Sequence, residues 1–452
     1  MYYTCINSQK MNKHSNINQN QILNFRVLFL GVISFSFLFN SFSCQTVVQQ
    51  RYLEAEEMGI LPTGFTEERT RTTAKRGPCY EAENYQIDTN HLDHFPKRYI
   101  RINFHFMNNE AGTQNISEKE APYYTERLLH AMNYALKNNK KMWLPEGNDT
   151  PIHPINIEYV LTGRPDDPDD DGIYYHYDDS LYYYVHIHKK DANLFDRAVF
   201  DKYGVQLDTV LNFFIMPHHK DSMASKTYRA QSVGVALRNA VKVAATWKES
   251  YAKDSNIYWK YRGTINHEVG HILGISHAWT KYDGCEDTPV HKNNCYSRSQ
   301  AGCATSASNN VMDYSSLQLA WTPCQIGKIH RKLAMDNYKP RDFLLPTWCT
   351  LDETKNITIK DSIDWPCMKD LEGNLTIAKG GQLTIHCRVS MPPNGKITIQ
   401  AGGKLILDGG RLHQDCEQTW KGIIVEKQGD EEGILEILND GMVEDVEGIG
   451  LY

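Results

Sequence analysis

Long apolar runs are scarce in this chain of 452 residues. The longest, Val27 to Phe39 behind Arg26, spans thirteen residues, whereas a bilayer-crossing helix needs about 20. The run fits the apolar core of a signal peptide, and nothing else in the chain could cross a membrane. An excess of positive charge is also missing: the net charge of -7 argues against a nucleic-acid surface. A complete EF-hand is absent too. The acidic run Asp166 to Gly172 has no closing glutamate, so it reads as a solvated insertion loop.

The leader sets the compartment. Ser41-Phe42-Ser43 supplies small residues where a signal peptidase cuts, and residues 1–44 read as the signal peptide. Cys44 beyond it is either an ordinary cysteine or a lipid attachment point, so the chain is expected to be secreted or a cell-surface lipoprotein. Export accounts for the eleven cysteines. Cys5 leaves with the leader, and an oxidising compartment should pair most of the rest.

One stretch carries the chemistry. His267 to His277 reads HExxHxxGxxH. On a helix, His267 and His271 project from one face and can grip a single ion. Glu268 stands beside the first of them, where a carboxylate can serve as general base toward a water. Gly274 is the residue at which the helix should stop, because glycine accepts the left-handed backbone that turns the chain back. His277 then returns as a third ligand. Three neutral histidines with one position left for water make a catalytic Zn2+ site rather than a closed structural one.

This motif resembles the metzincin clan of zinc endopeptidases. The resemblance implies a methionine turn, and Asn309-Asn310-Val311-Met312-Asp313-Tyr314 follows at a suitable distance. By that likeness Met312 floors the histidines, and Tyr314 directs its phenol at an oxyanion. Cys285, Cys295, Cys303 and Cys324, with Glu286-Asp287-Thr288-Pro289, look like the pappalysin branch. That branch implies Cys285 paired with Cys303 and Cys295 with Cys324, although the sequence does not exclude the other pairings. It also implies Ca2+ near this loop, for which Asp283, Glu286 and Asp287 offer oxygen ligands; a solvated acidic turn is the plain alternative. Pappalysins often cut beside basic residues, but nothing in the sequence identifies the pocket that would read them.

Around this centre the expected organisation has four parts. Residues 45–92 are polar and resemble a pro-segment, with Arg69, Arg71, Lys75 and Arg76 as cleavage points. Within it Cys79 is a candidate cysteine switch, since a thiolate is a strong zinc ligand; pairing with another cysteine is the alternative. Residues 93–346 read as an α+β metzincin-like domain, a twisted mixed sheet plus the active-site helix. Its expected strands include Tyr99 to Met107, Ile155 to Leu161 and Val210 to Met216, and its expected helix runs from Glu118 to Asn138. Ser232 to Leu237 is the expected edge strand, Tyr174 to Tyr184 a surface hairpin, and His218, His219 and His291 solvent-exposed side chains. Residues 347–452 form an all-β repeat domain. Gly373 to Ile385 is echoed by Gly395 to Leu407, with glycines and aliphatics in register at an offset of 22 residues. Short strands between glycine corners suggest a parallel β-helix, with an antiparallel sandwich as the alternative. The pattern runs to Tyr452 with no polar cap, so the solenoid is expected to continue or to be covered by a partner.

These readings point to a secreted zinc endopeptidase acting on protein or peptide substrates. Two alternatives remain. In one, the solenoid is a surface adhesin or polymer-binding module and the protease is vestigial; in the other, the zinc site hydrolyses a non-peptide amide. Cell-surface or polymer attachment through the C-terminal domain is a candidate role, and the oligomeric state is unknown from sequence.

Overall fold

Alternation of side chains along one long strand sets the first half of the fold. In chain order the elements are β1 (Val48–Tyr52), β2 (Arg98–Asn108), α1 (Ala121–Lys137), β3 (Ile157–Leu161), β4 (Ile173–Tyr177), α2 (Ala198–Tyr203) and β5 (Leu211–Ile215). After them come β6 (Gly234–Ala236), β7 (Ala240–Val243), α3 (Tyr258–Ile272), α4 (Pro323–Ala334) and α5 (Lys339–Asp342). They are seen in a computed structural model that describes residues 48–60, 77–184, 195–219, 221, 233–244, 254 and 256–447. The signal-peptide stretch, Cys44, Ser232 and the basic residues Arg69, Arg71, Lys75 and Arg76 lie outside these residues.

β2 is central because both of its faces are buried. Ile100, Ile102, Phe104 and Phe106 join Tyr124, Leu128 and Met132 of α1 in one core, while Met107 joins Phe200 and Phe214 in another. A strand covered on both sides suits a parallel interior. β3, β4 and β5 all pair with β2 in parallel, β7 pairs with β5 in parallel, and β6 is the antiparallel edge. The expected edge strand is therefore present as the outer half of a β6–β7 hairpin. α1 packs on the sheet beside α3, and Asn266 of α3 donates to the Met132 carbonyl (3.3 Å). The active-site helix is thus laid across a finished sheet.

Two expectations for this half need correction. Tyr174 to Tyr184 is not a surface hairpin: its first part is β4, paired in parallel with β2, and Tyr182, Tyr183 and Tyr184 are buried. Burying those rings removes far more apolar area than a surface hairpin would. The histidines are also less exposed than expected. His218 is buried against Tyr184, and His219 lies over Tyr183. His291 reaches Asp313 (3.3 Å), which raises its pKa through their hydrogen bond.

Beyond α5 the chain winds into coils. The strands are β8 (Ile357–Ile359), β9 (Ser362–Trp365), β10 (Lys369–Asp370), β11 (Leu375–Ile377), β12 (Gln382–Ile385), β13 (Arg388–Ser390) and β14 (Lys396–Ile399). They continue with β15 (Lys404–Asp408), β16 (Arg411–His413), β17 (Gly422–Gln428), β18 (Glu431–Glu432), β19 (Ile434–Leu438) and β20 (Met442–Val443). Three parallel stacks result: β8-β11-β14-β17, β9-β12-β15-β19 and β10-β13-β16-β20. Leu375 sits beside Ile397 and Leu383 beside Leu405, which is the register of the sequence repeat. Aliphatics stack inward coil upon coil. The fold is a parallel β-solenoid, not an antiparallel sandwich.

The β17 edge of this solenoid is covered by an earlier segment of the chain. β1 pairs antiparallel with β17. After it, Leu53 and Met58 enter the same core as Trp420 and Val425. Sheet and solenoid are joined by a buried charge cluster in which Asp370 receives Arg341 (2.8 Å), Arg388 (2.6 Å) and Arg98 (3.3 Å). Three arginines hold its carboxyl well below the usual carboxylate range against the opposing effect of burial. Disulfides Cys79–Cys387 and Cys349–Cys416 tie the same region.

Candidate active site

α3 ends where the motif requires. Gly274 adopts a φ of +84°, and the Ile275 amide donates to the Gly270 carbonyl (2.9 Å), the wide bond of a glycine-terminated helix. The reversal brings His277 to the other two histidines. His271 Nε2 lies 3.2 Å from His267 Nε2 and 3.1 Å from His277 Nε2. His267 Nδ1 faces the Val311 carbonyl (2.7 Å), and His271 Nδ1 faces the Ile275 carbonyl (2.9 Å). Carbonyls only accept, so these two Nδ1 atoms carry the protons and their Nε2 lone pairs are bare.

Bare lone pairs converging this closely repel one another unless a cation lies among them. With metal–nitrogen bonds of about 2.0–2.1 Å, a tetrahedral site separates its nitrogens by about 3.3–3.4 Å, so the spacing fits a divalent metal. Burial holds all three imidazoles in the neutral form that ligates, His267 down to about 3 and His277 to about 4.

Beneath the histidines the methionine turn is locked from α4. Thr322 and Gln325 form a capping box, and the Gln325 amide also exchanges hydrogen bonds with Asn310 (2.8 and 3.0 Å). Asn310 in turn accepts from the Met312 amide (2.8 Å). Met312 is fully buried. A Cβ on Gly270 would lie 2.4 Å from Met312 Sδ, so the floor presses on the helix between the first two histidines.

Glu268 is buried, and burial raises its carboxyl to about 7 although the Ala236 backbone bonds to it. Gly234 of β6 passes so close that a Cβ there would meet Glu268 Cγ at 2.9 Å. Tyr314 is exposed over the histidines, its ring centroid 5.0 Å from that of His277; its phenol is raised by partial burial and by Glu268. Together these groups wall a cleft of about 880 Å³ that also includes Trp259, Arg262 and Gln318.

Several contributors were not singled out from sequence. Trp279 stacks on His277 at 4.1 Å. Gln318 donates to the Val311 and Asp313 carbonyls (3.1 and 2.8 Å), bracing the turn. Gly270 carried a signal that could have been read, because a glycine inside a helix costs about 1 kcal/mol and asks for a packing reason. Trp279 and Gln318 carried none.

The cysteine readings change. The pairs are Cys285–Cys324 and Cys295–Cys303, not the interleaved pairs that the resemblance implied. Asp287 accepts from the Cys324 amide (3.0 Å), which draws the first turn of α4 to Cys285 and leaves Cys295 to close on Cys303. Cys79 is bonded to Cys387, so it has no thiolate to offer a metal and is not a cysteine switch in this state. Asp283, Glu286 and Asp287 do not form a shared ligand set among the described residues. Asp283 accepts from Thr288, its carbonyl receives the Lys328 ammonium, and Glu286 is exposed.

Residues 194–334 match a peptidase family, M43, whose description is pregnancy-associated plasma protein-A. Comparison with curated proteins returned no match. Among solved structures the chain is similar to mirolysin in complex with compound 9, at 19% identity over 55% of this chain and 97% of that one, with a TM-score of 0.38. It is also similar to mature mirolysin of Tannerella forsythia in complex with a cleaved peptide, at 17% identity over 55% and 96%, TM-score 0.38. A promirolysin mutant of the same organism matches at 17% over 55% and 84%, TM-score 0.38. The chain thus carries a segment that matches the M43 peptidase family and resembles the pappalysin-like metzincins, with a parallel β-solenoid on its C-terminal side.

Proposed function

We propose that this chain is an exported zinc-dependent endopeptidase of the pappalysin type. The observation that carries the reading is the convergence of three histidine Nε2 atoms beside a buried carboxyl in an open cleft. Zinc held by His267, His271 and His277 would supply Lewis acidity toward a water and a scissile carbonyl. Glu268 accepts the proton of the attacking water and hands it to the leaving amine; a carboxyl raised to about 7 can do both near neutral pH. Tyr314, exposed at the rim, donates its hydroxyl to the developing oxyanion. The peptide lies along the edge strand β6, which borders the cleft at Gly234. Met312 positions the histidines from below and does not touch substrate. The working division is a catalytic part at 93–346 and the solenoid at 347–452. Export is supported by four disulfides among the described residues, which persist in oxidising compartments.

The test is cleavage of a mixed peptide library by zinc-supplemented protein, read by mass spectrometry with and without chelator and beside Glu268→Ala. Cuts that need the metal and vanish in the variant support the reading. Folded, zinc-loaded protein that cuts nothing would overturn it and favour the adhesin alternative.

A further inference from the structure

The cleft beside Glu268 has an unbalanced charge. Its ionisable lining includes Lys260, Arg262 and Glu268. Lys260 is neutralised by Asp254 (2.8 Å), and Glu268 bonds to the backbone of Ala236. Arg262 has no ion pair and no hydrogen bond among the described residues. Its Nε is fully buried without a partner, and its guanidinium lies 5.3 Å from the centroid of the Trp259 ring. Burial pulls it below its ordinary value. A guanidinium is a fixed fork matched to carboxylates, and leaving one half-buried and unpaired costs stability that a ligand would recover.

Resting on the peptidase reading, we infer that Arg262 is the specificity-determining residue of this cleft and that it receives a substrate carboxylate flanking the scissile bond. Trp259 lies against the guanidinium, and the Tyr314–Gln318 loop lines the same cleft. Substrates with an acidic group here are preferred, the opposite of the basic preference implied by the family resemblance. The carboxylate comes either from an Asp or Glu side chain or from a chain terminus.

The experiment compares matched peptides with Glu, Gln or Lys at each position flanking the cut, and each peptide as free acid and as C-terminal amide. Wild-type protein should favour Glu over Gln by roughly 10- to 100-fold in kcat/KM, with the difference in KM. Sensitivity to Glu at an internal position identifies a side chain; sensitivity only to the terminal amide identifies a chain end. The Glu-to-Gln ratio should fall to about 1 in Arg262→Gln, recover in part in Arg262→Lys, and give way to a preference for Lys in Arg262→Glu. A gain of cleavage of the Lys peptide cannot come from misfolding. If wild-type protein cuts these peptides with no acidic preference, or if the ratio is indifferent to Arg262, the inference falls and the peptidase reading stands. If no peptide is cut, both fall.

Discussion

Gly270→Ala sets two physical effects against each other inside the metal helix. Alanine in a helix interior is favoured over glycine by about 1 kcal/mol, so on propensity alone the change stabilises. The structure opposes this. The new methyl would lie 2.4 Å from Met312 Sδ, 2.9 Å from Trp321 Cη2 and 3.2 Å from Met312 Cε. The first contact is on the order of 1–1.5 Å inside the optimal separation. Met312 is fully buried, and Trp321 is held through its amide to Asn139 (2.9 Å). Neither can withdraw freely, and overpacking of this kind costs roughly 1–3 kcal/mol. Packing should win, with a net loss of about 1 kcal/mol or more and a weakened metal site, because His267 and His271 flank the strained position. Thermal melting with and without zinc, together with a zinc titration, measures both. A double variant Gly270→Ala, Met312→Ala should lose less than the two single losses added, since truncating Met312 removes the clash and the new methyl fills part of the space it leaves. A Gly270→Ala protein with unchanged or raised midpoint and unchanged zinc affinity would refute the packing argument.

Three further outcomes are expected. Asp370→Asn leaves Arg98 without a carboxylate and Arg341 and Arg388 with only the outlying Asp415 and Asp336, and chemical denaturation should show a loss of about 3–5 kcal/mol; a loss below about 1 would mean that the cluster contributes little. Deleting the chain through residue 60 uncovers the core that Leu53 and Met58 close; at about 1.5–3 kcal/mol for each buried side chain, the solenoid should lose roughly 3–6 kcal/mol and become protease-sensitive near β17, whereas unchanged resistance would show the segment to be dispensable. The third concerns acid. Burial lowers His94 to about 4 and His413 to about 3 from an ordinary value of 6.5. The unfolded chain binds these protons first, so the stabilisation is complete above about 6.5 and is lost as pH falls toward those folded values. The histidine contribution to the melting midpoint should be flat above that point and fall below it, and a His413→Gln variant should show a shallower fall; an unchanged slope would remove His413 from the explanation.

The histidine cluster was legible because its information is local. His267, Glu268, His271, Gly274 and His277 sit within one helix and its cap, so spacing alone fixes which atoms meet. The strand of β2 and the coil register were legible for the same reason: alternation and a repeated offset are properties of neighbouring residues. What sequence could not carry was choice among distant partners. Four cysteines near one loop allow several pairings, and the Asp287 contact to the first turn of α4 decides among them. Cys79 reads equally well as a switch or a bridge until Cys387, 308 residues away, is seen beside it. Trp279 and Gln318 act through the surfaces they happen to meet. Arg262 is an ordinary helix residue in sequence; only the absence of a partner in the folded cleft marks it.

The cover that β1 places on β17 couples segments far apart in the chain in time as well as in space. Gln50 hydrogen-bonds to Glu426 across 376 residues, so the strand made among the earliest is needed by the coil made among the latest. During synthesis the earlier coils can wind from local contacts as they emerge, but the β17 edge is completed only by pairing with the distant β1. Such long-range pairing is slow, and until it forms the β17 edge remains open to any extended chain that reaches it. Loss of the leading segment would leave the β17 coil exposed for as long as the protein exists.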